Sequence, residues 1–322
     1  MTVGDLEMTS ASTFVRIERR LAGENVWLYH TGADEDAELM KYSPNSLHYE
    51  VLESEGAVGR AMFDELVIAA DKREGDLTVV ILGGRGGQAL HRLLGEKAKT
   101  GEIDDLLARM NVFTQDALAR MRMDNSFSFV RDFERLLGES FFKKVKSFTS
   151  MRTDVADLET GLMNYLDELE GAGPVDIMFL GLGPEAGGAS HLAYIKPGSG
   201  AGAADVAGVI PISREILEHH VRKFKAGGAS TNDTDEAECR NASHILTLGP
   251  AAILRASKIV QSIVDADTAP AKVPSFDRLV KTIISDQPQA RARQVDENPG
   301  LWIRLHPNVR SLILPNVLSA SN

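Results

Sequence analysis

A run of glycines separates a predicted strand from a predicted helix. The run, Gly83-Gly84-Arg85-Gly86-Gly87, follows the apolar segment Leu77–Leu82 and precedes a helical stretch at Gln88–Lys97. Glycines let the backbone approach a ligand closely, and the free N–H groups at a helix start favour an anion. A tight turn without a ligand is the alternative interpretation. Because Arg85 adds a cation to this loop of an acidic chain, we favour a phosphate-binding loop built from the backbone of residues 84–88.

Three ionisable side chains share one loop farther along the chain. Glu185, His191 and Lys196 all lie in the loop that follows the apolar segment Val175–Leu180. Histidine transfers protons near neutral pH, and a neighbouring carboxylate can orient its ring. The residues alone allow either a catalytic loop or a surface loop with a solvated histidine.

A single carboxylate follows a third apolar segment. Asp116 ends the sequence Phe113-Thr-Gln-Asp, just past the short predicted strand Asn111–Phe113. An aspartate in this place can act as an acid or base, or it can cap the next helix.

Alternating strands and helices must position these side chains. The predicted strands are 77–82, 111–113, 175–180, 209–212, 244–248, 258–264 and 310–314. The helices with apolar residues at helical spacing include 50–71, 88–97, 126–148, 155–169, 214–224 and 276–285. This order predicts an α/β fold with a mainly parallel, Rossmann-like sheet and helices on both faces. Ligands bind beyond the carboxyl ends of such strands, so the candidate loops should converge there.

The domain organisation follows from the same pattern. We predict a single domain over residues 45–322, preceded by a partly ordered N-terminal extension at residues 1–44. The polar segment Ala226–Glu236 is predicted to be a mobile loop.

Composition disfavours or excludes several kinds of partner and site. The chain has 322 residues, with 35 Lys+Arg against 46 Asp+Glu and a formal charge of −11. This acidity argues against nucleic acid and membrane surfaces as partners. Cys239 is the only cysteine, which excludes an intramolecular disulfide and cysteine-based zinc sites. No signal peptide or membrane-spanning run is predicted, so we expect a cytoplasmic protein. Its oligomeric state stays open, a homo-oligomer included.

Five motifs in the range 45–316 follow one another in a familiar order. They are VVILGGRGGQALHRL (79–93), VFTQDALARMRMDNSFSFVRDFERLL (112–137), FLGLGPEAGGASHLAYIKPGS (179–199), HILTLGPAAILRASKIV (244–260) and LWIRLHPNVRSLILP (301–315). Together they resemble the glucosamine-6-phosphate deaminase/isomerase family and, through it, the 6-phosphogluconolactonases. The resemblance implies the same Rossmann-like fold.

The resemblance also implies a chemistry. In the family a sugar-phosphate ring opens and an enediol forms, and the deaminases release ammonia, all without a metal or organic cofactor. By position, Gly86, Gly87 and Gln88 would hold the phosphate, and Arg222 would match a phosphate-binding arginine. Asp116 would match the carboxylate that moves a proton at the sugar C2, and His191 the histidine that opens the ring.

Three departures from the family pattern bear on function. The family's Asp-Gly-His becomes Glu185 followed by five residues before His191, and its glutamate before proline becomes Lys196, a candidate substrate-binding cation here. Arg85 replaces the threonine of the phosphate loop. We therefore expect Glu185 to orient His191 in place of the missing aspartate, and Lys196 to lower the imidazole pKa. Two alternatives remain: a 6-phosphogluconolactonase-type hydrolase, because Gly183-Pro184-Glu185 resembles that branch's Gly-Pro-Asp, and a non-catalytic sugar-phosphate-binding regulatory protein.

Overall fold

A computed structural model describes residues 16–20, 25–30 and 46–318. The strands of this part of the chain are β1 (Arg16–Arg20), β2 (Val26–His30), β3 (Tyr49–Val51), β4 (Leu77–Ile81), β5 (Met110–Thr114), β6 (Asp116–Ala119), β7 (Ser147–Thr149), β8 (Ile177–Leu180), β9 (Gly183–Pro184), β10 (Ser190–His191), β11 (Asp205–Pro211), β12 (His244–Leu248), β13 (Ile259–Ile263) and β14 (Val309–Ile313). Its α-helices are α1 (Glu55–Asp71), α2 (Arg85–Thr100), α3 (Asp104–Leu107), α4 (Phe129–Lys144), α5 (Leu158–Gly171), α6 (Arg214–Ala226), α7 (Asp233–Arg240), α8 (Pro250–Leu254), α9 (Lys272–Lys281) and α10 (Pro288–Glu297).

A parallel sheet flanked by helices forms the centre of the molecule. Within the described residues its strand order is β3-β14-β13-β8-β4-β5-β7, and every neighbouring pair is parallel. The central strands β4, β8 and β13 are buried at every position, which explains why they are continuous apolar runs in the sequence. The predicted α/β fold with a parallel, Rossmann-like sheet is confirmed.

A second, antiparallel sheet is the main feature that the sequence prediction did not contain. Its order in the described residues is β1-β2-β11-β12-β6. The predicted strands 209–212 and 244–248 belong to this sheet, so their assignment to a mainly parallel sheet was wrong. Both β11 and β12 are buried along nearly their whole length. A strand covered on both faces has the same apolar sequence in either kind of sheet, which is why the pattern could not separate them.

Part of the predicted N-terminal extension is built into this second sheet. Strand β2 pairs with β11, and Trp27 is fully buried with its indole N–H donating to the carbonyl of Ser199 at 3.0 Å. The rest of residues 1–44 lies largely outside the described residues, and the boundary at residue 45 stays a prediction.

Three helices have bounds that differ from the prediction. Helix α9 begins at Lys272 rather than at Phe276. Helix α7 begins at Asp233, inside the segment predicted as a loop, because the side chain of Asn232 caps it by accepting from the amide of Asp235 at 2.9 Å. The predicted helix 126–148 is shorter, as α4, and is interrupted at Gly138, where φ is 73°.

Candidate active site

A cleft that is partly open to solvent lies where the two sheets meet. One wall comes from the carboxyl ends of β4, β8 and β13, the position where ligands bind in sheets of this kind. The other elements that line it are β6, the short hairpin β9–β10, helix α6 and the start of α9. The glycine loop, Asp116 and the loop containing His191 therefore meet at one cleft, as the sequence pattern predicts.

Asp116 is a buried carboxyl group in the wall of this cleft. It begins β6, where it pairs with Thr247 of β12, so it does not cap a helix. Only 4% of the residue is exposed, and its Oδ1 atom has no hydrogen-bond partner. Burial raises the pKa of Asp116 to about 7, and the positive charge of Lys223 opposes that shift. A carboxyl group with a pKa near 7 can both take up and release a proton at neutral pH.

His191 and Glu185 form a hydrogen-bonded pair on the opposite loop. The Nδ1 atom of His191 lies 2.6 Å from Oε1 of Glu185, despite the residues inserted between them. The insertion folds into the β9–β10 hairpin, whose turn contains Gly187 and Gly188 with φ of 65° and 72°. Both glycines thus hold a conformation that other residues rarely adopt. The expectation that Glu185 reaches His191 agrees with this geometry.

The hydrogen bond fixes how the imidazole is oriented. The carboxylate accepts a hydrogen bond from Nδ1–H, which leaves Nε2 as the basic atom. The ring lies directly against Gly183, because a Cβ atom there would come within 1.7 Å of Nε2. Burial lowers the pKa of His191, Glu185 opposes this, and Lys223 and Lys272 lower it further. His191 is therefore a neutral base at physiological pH.

Buried hydrogen bonds hold the strand that carries His191. Asn298 accepts from both the amide and the hydroxyl of Ser190, at 2.9 and 2.7 Å. The hydroxyl of Ser275 donates to the carbonyl of Ala189 at 2.6 Å. These contacts fix the backbone immediately before the imidazole.

The residues after His191 have a strained backbone. Ala193 and Tyr194 both have positive φ, 48° and 59°, and both line the cleft. Non-glycine residues in this region carry strain that the surrounding structure must hold. The Tyr194 ring lies against Phe129 and tilts over His191, with the centroids of the Tyr194 and His191 rings 5.2 Å apart. Its hydroxyl is hydrogen-bonded to His220 at 3.0 Å.

The glycine loop forms the floor of the cleft at the start of α2. Gly84 has a φ of 76° and occupies the position before the first helical residue. A Cβ atom at Gly84 would lie 2.2 Å from Nζ of Lys223, so that ammonium group rests on the loop backbone. Gly83 and Gly86 line the cleft. The amide of Gly87 donates back to the carbonyl of Gly84, as a helix turn does.

Two other predicted residues of this loop point elsewhere. The guanidinium of Arg85 forms an ion pair with Glu55 at 2.6 Å and so faces α1. The side-chain amide of Gln88 is buried and points to Asp132, 3.4 Å away. Neither side chain lines the cleft.

Lys223 and Lys272 are the cations that the structure places in the cleft. Burial lowers the pKa of Lys223, and Lys272 lowers it further. Lys272 is buried and forms an ion pair with Asp265, which is also buried. Burial alone would raise the pKa of Asp265, but Lys272 and Lys223 together hold it below its ordinary value. The sequence analysis did not identify either lysine.

Arg222 and Lys196, which the sequence analysis did single out, lie outside the cleft wall. Arg222 is exposed, and its Nε donates to the carbonyl of Glu218 within the same helix at 3.3 Å. The ammonium of Lys196 donates to the carbonyl of Pro211 at 2.6 Å. The lysines that lower the pKa of His191 are Lys223 and Lys272 rather than Lys196.

Two absences in the described part of the chain concern metal ions and membranes. Among these residues, no cluster of three or more His, Cys, Asp and Glu side chains has an arrangement that could hold a metal ion. No helix in the described part of the chain has the length and apolarity needed to cross a membrane.

Comparison with known proteins identifies the fold. No family model and no curated protein match the sequence. Among solved structures, a monomeric glucosamine-6-phosphate deaminase of the NagB superfamily matches with a TM-score of 0.64 and 18% identity, over 84% of this chain and 98% of that one. The 6-phosphogluconolactonase of Thermotoga maritima matches with a TM-score of 0.57 and 15% identity, over 83% and 98% of the two chains. That of Leishmania guyanensis matches with 0.56 and 16%, over 86% and 98%.

These matches define a structural class. The chain has the Rossmann-like fold of the NagB superfamily and the 6-phosphogluconolactonases, as the order of its motifs predicts. At sequence identities this low, the similarity to these structures establishes the fold alone.

Proposed function

We propose that the protein is a sugar-phosphate enzyme of the isomerase/deaminase type, which moves protons on a phosphorylated sugar or amino sugar. The observation that carries the proposal is the pair of proton-transfer groups in one cleft. Asp116 has a pKa of about 7, and His191 is a neutral imidazole hydrogen-bonded to Glu185. The solved structures of the same fold are named as a glucosamine-6-phosphate deaminase and as 6-phosphogluconolactonases, which supports a phosphorylated sugar as substrate.

The anion subsite would hold the phosphate group. We define the anion subsite as the backbone of Gly84–Gly86 together with Lys223 and Lys272. Backbone N–H groups at a helix start and nearby ammonium groups are suited to a phosphate. The subsite also orients the sugar, since it lies in the same cleft as the two proton-transfer groups.

His191 and Asp116 would then act in turn. Nε2 of His191 takes the proton of the anomeric hydroxyl, the C1–O5 bond breaks, and the proton is delivered to O5, so the ring opens to an aldehyde. Asp116 takes the proton from C2 while O1 takes a proton from water, which gives an enediol or, for an amino sugar, an enolamine. Return of the C2 proton to C1, with loss of the O2 proton to water, gives the ketose. For an amino sugar the proton returned to C1 gives an imine at C2, and addition of water there releases ammonia and leaves the ketose. Each step moves protons between groups that have suitable pKa values.

Lactone hydrolysis is the second candidate, favoured by the His191–Glu185 pair. A neutral histidine oriented by a carboxylate can activate a water molecule to attack a lactone carbonyl. This reaction gives no role to Asp116, which lines the same cleft and has a buried oxygen without a hydrogen-bond partner. We therefore rank it below the isomerase/deaminase.

Exchange of hydrogen with solvent separates these functions. The protein is incubated in D₂O with glucose 6-phosphate, glucosamine 6-phosphate and 6-phosphogluconolactone in separate reactions, followed by NMR and an ammonia assay. We expect deuterium at C1 or C2 of a hexose phosphate, together with ketose formation or ammonia release. Accelerated lactone opening without any exchange would instead establish the hydrolase. Binding of the sugar phosphates without any reaction would leave a regulatory binding protein.

A further inference from the structure

The turn that follows His191 has a backbone conformation that its own residues disfavour. Leu192 and Ile195 are hydrogen-bonded to each other in both directions, with N···O distances of 3.3 and 2.7 Å. Ala193 and Tyr194 are therefore the two central residues of a tight turn, and both have a left-handed backbone, with φ of 48° and 59°. Two-residue turns of this kind favour asparagine and glycine, which tolerate positive φ. Contacts outside the turn must therefore stabilise it.

Two buried hydrogen bonds hold this turn from outside. The hydroxyl of Thr247, in β12, donates to the carbonyl of Ala193. The hydroxyl of Tyr194 lies 3.0 Å from Nδ1 of His220, and Nε2 of the same imidazole lies 2.8 Å from the carbonyl oxygen of Phe127. A carbonyl oxygen can only accept, so Nε2 carries the proton, and Nδ1 accepts a hydrogen bond from the tyrosine hydroxyl.

The hydrogen bond between Tyr194 and His220 does not depend on pH near neutrality. Burial lowers the pKa of His220 to about 3, and it raises the pKa of Tyr194 well above its ordinary value. Both groups therefore stay uncharged at the pH values where a histidine base works. The hydroxyl is a fixed anchor for the tyrosine ring.

The anchored ring lies against His191. The centroids of the Tyr194 and His191 rings are 5.2 Å apart, and the ring planes are inclined by 35°. Phe129 stacks on the same tyrosine with an angle of 20° between the ring planes. The side chain of His191 is only 8% exposed. An aromatic ring beside an imidazole excludes water from that side, and the loss of water disfavours the charged form of the histidine.

We propose that Tyr194 is a positioning residue for His191: the strained turn and His220 hold its ring as a cover that keeps water away from the imidazole. This inference rests on the proposed function, since it concerns the base of the same site. The cover acts through His191, and the tyrosine hydroxyl takes no part in proton transfer because His220 already accepts its hydrogen.

The other titratable groups around the imidazole lie on different elements and are not changed by a substitution of Tyr194. They are Glu185, Lys223, Lys272, His219 and Asp116. The carboxylate of Glu185 raises the pKa of His191, and the two lysines lower it. Burial lowers the pKa of His219 to about 3, so this histidine is neutral. A change in the pKa of His191 after removal of the tyrosine ring therefore reports the hydration of the imidazole.

Titration of the histidines by NMR tests the proposal without a substrate. The protein is labelled with ¹³C in its eight histidine rings, and the variant His191→Gln identifies the signal of His191 by its loss. In the unmodified protein this signal should titrate below about pH 6.5, the ordinary pKa of histidine.

Two substitutions of Tyr194 separate the ring from its anchor. Tyr194→Ala removes the ring, so the pKa of His191 should rise toward the ordinary value of about 6.5. A larger fraction of the imidazole should then be protonated at about pH 6. Tyr194→Phe keeps the ring but removes the hydroxyl, so we expect a smaller shift in the same direction.

Thr78→Val is the matched control for the loss of one buried hydroxyl group. Thr78 is fully buried near the start of β4, and its hydroxyl donates to the carbonyl of Ala172 at 2.9 Å. The cleft lies at the other, carboxyl end of this strand. Thr78→Val and Tyr194→Phe should both lower the midpoint of thermal unfolding, but only Tyr194→Phe should change the titration of His191.

The outcomes distinguish this inference from the proposed function. A titration of His191 that is the same in the unmodified protein and in both Tyr194 variants would overturn the proposal. If Tyr194→Ala does not fold, an unchanged titration in Tyr194→Phe would overturn it alone. A raised pKa of His191 in Tyr194→Ala would support the cover even if the unmodified protein left every tested sugar phosphate unchanged, a result that would remove the proposed function.

Discussion

Both walls of the cleft contain buried ionisable groups, but the walls differ in whether these groups keep their charge. On the acid/base wall, formed by Asp116, Glu185 and His191, burial drives two groups toward their neutral forms: it raises the pKa of Asp116 and lowers that of His191. On the anion wall, formed by the glycine loop with Lys223 and Lys272, burial also lowers the pKa of Lys223, but the buried Lys272 is paired with Asp265. Groups whose protonated and unprotonated forms are close in free energy can exchange protons, whereas paired charges can hold and orient a ligand.

The walls also differ in the elements that carry them. Asp116 stands on the antiparallel sheet and His191 on a short hairpin, whereas the glycine loop follows β4 of the parallel sheet. The parallel sheet provides the anion wall in the usual place for its class. The antiparallel sheet adds Asp116, and the hairpin adds His191. The following substitutions affect one wall and leave the other intact.

Asp116→Asn should have the largest effect on turnover. The amide has the same shape but cannot accept a proton, so we expect kcat to fall by about 10³-fold while sugar-phosphate binding is retained. The control is ligand-induced stabilisation against heat, which should stay close to that of the unmodified protein. Full activity in this variant would remove Asp116 from the mechanism.

The same variant makes a prediction about stability. The pKa of Asp116 is raised to about 7 in the folded protein, above its unfolded value of 3.8. Such a group makes folding less favourable as pH rises from the unfolded pKa through the folded one. Asp116→Asn should therefore be more stable than the unmodified protein near pH 8, and this advantage should shrink near pH 5. Chemical denaturation at the two pH values measures the difference.

Replacing either lysine of the anion wall should weaken ligand binding, but only replacing Lys272 should lower the free energy of unfolding. Lys223→Met and Lys272→Met should each weaken binding of a hexitol 6-phosphate by about 10–100-fold, because a charged hydrogen bond to phosphate is lost. Only Lys272→Met leaves a buried carboxylate, Asp265, without its partner, which costs about 3–5 kcal/mol of folding stability. Lys223→Met removes a half-buried cation that has no ion-pair partner among the described residues, so the free energy of unfolding of this variant should not fall. Equal destabilisation of both variants would contradict the difference.

Glu185→Gln should have a smaller effect, confined to the acid/base wall. We expect kcat to fall by about 10–100-fold because the glutamine no longer holds Nδ1–H with a charged oxygen. The carboxylate also raises the pKa of His191, so its removal should lower that pKa. The acid limb of the pH–rate profile should move to lower pH, since the base must be neutral to act. A limb that does not move would show that another group controls it.

The sequence was sufficient for the parallel sheet and for the loops at its carboxyl ends, because those features depend on continuous apolar strands and on glycines. It did not identify the cations of the anion wall. In the segment His220-Val-Arg-Lys-Phe we chose Arg222, whereas Lys223 faces the cleft. Arg222 lines an adjoining pocket together with Lys223 and Asp265, because adjacent residues on a helix differ in direction by about 100°.

Lys272 was missed for a different reason. It lies at the first residue of α9, which the sequence analysis placed four residues later, and its partner Asp265 precedes the helix in a loop. Their meeting depends on the path of that loop. Arg85 was expected to bind the phosphate, but its guanidinium forms an ion pair with Glu55 on α1. Whether a cation already has an ion-pair partner depends on tertiary contacts, which the sequence pattern does not show.

Substitutions of Lys196 should have the smallest effect. The resemblance to the family predicts a glutamate beside His191 at this position, but the ammonium of Lys196 donates to the carbonyl of Pro211 outside the cleft wall. Lys196→Met removes that hydrogen bond and should change kcat/KM by less than about threefold. Lys196→Glu would place a carboxylate against a carbonyl oxygen and near the charge of Glu185, so we expect a loss of about three- to tenfold instead of a gain. Steady-state rates and the pH–rate profiles of the two variants test this, and faster amino-sugar deamination by Lys196→Glu would mean that this position belongs to the acid/base wall after all.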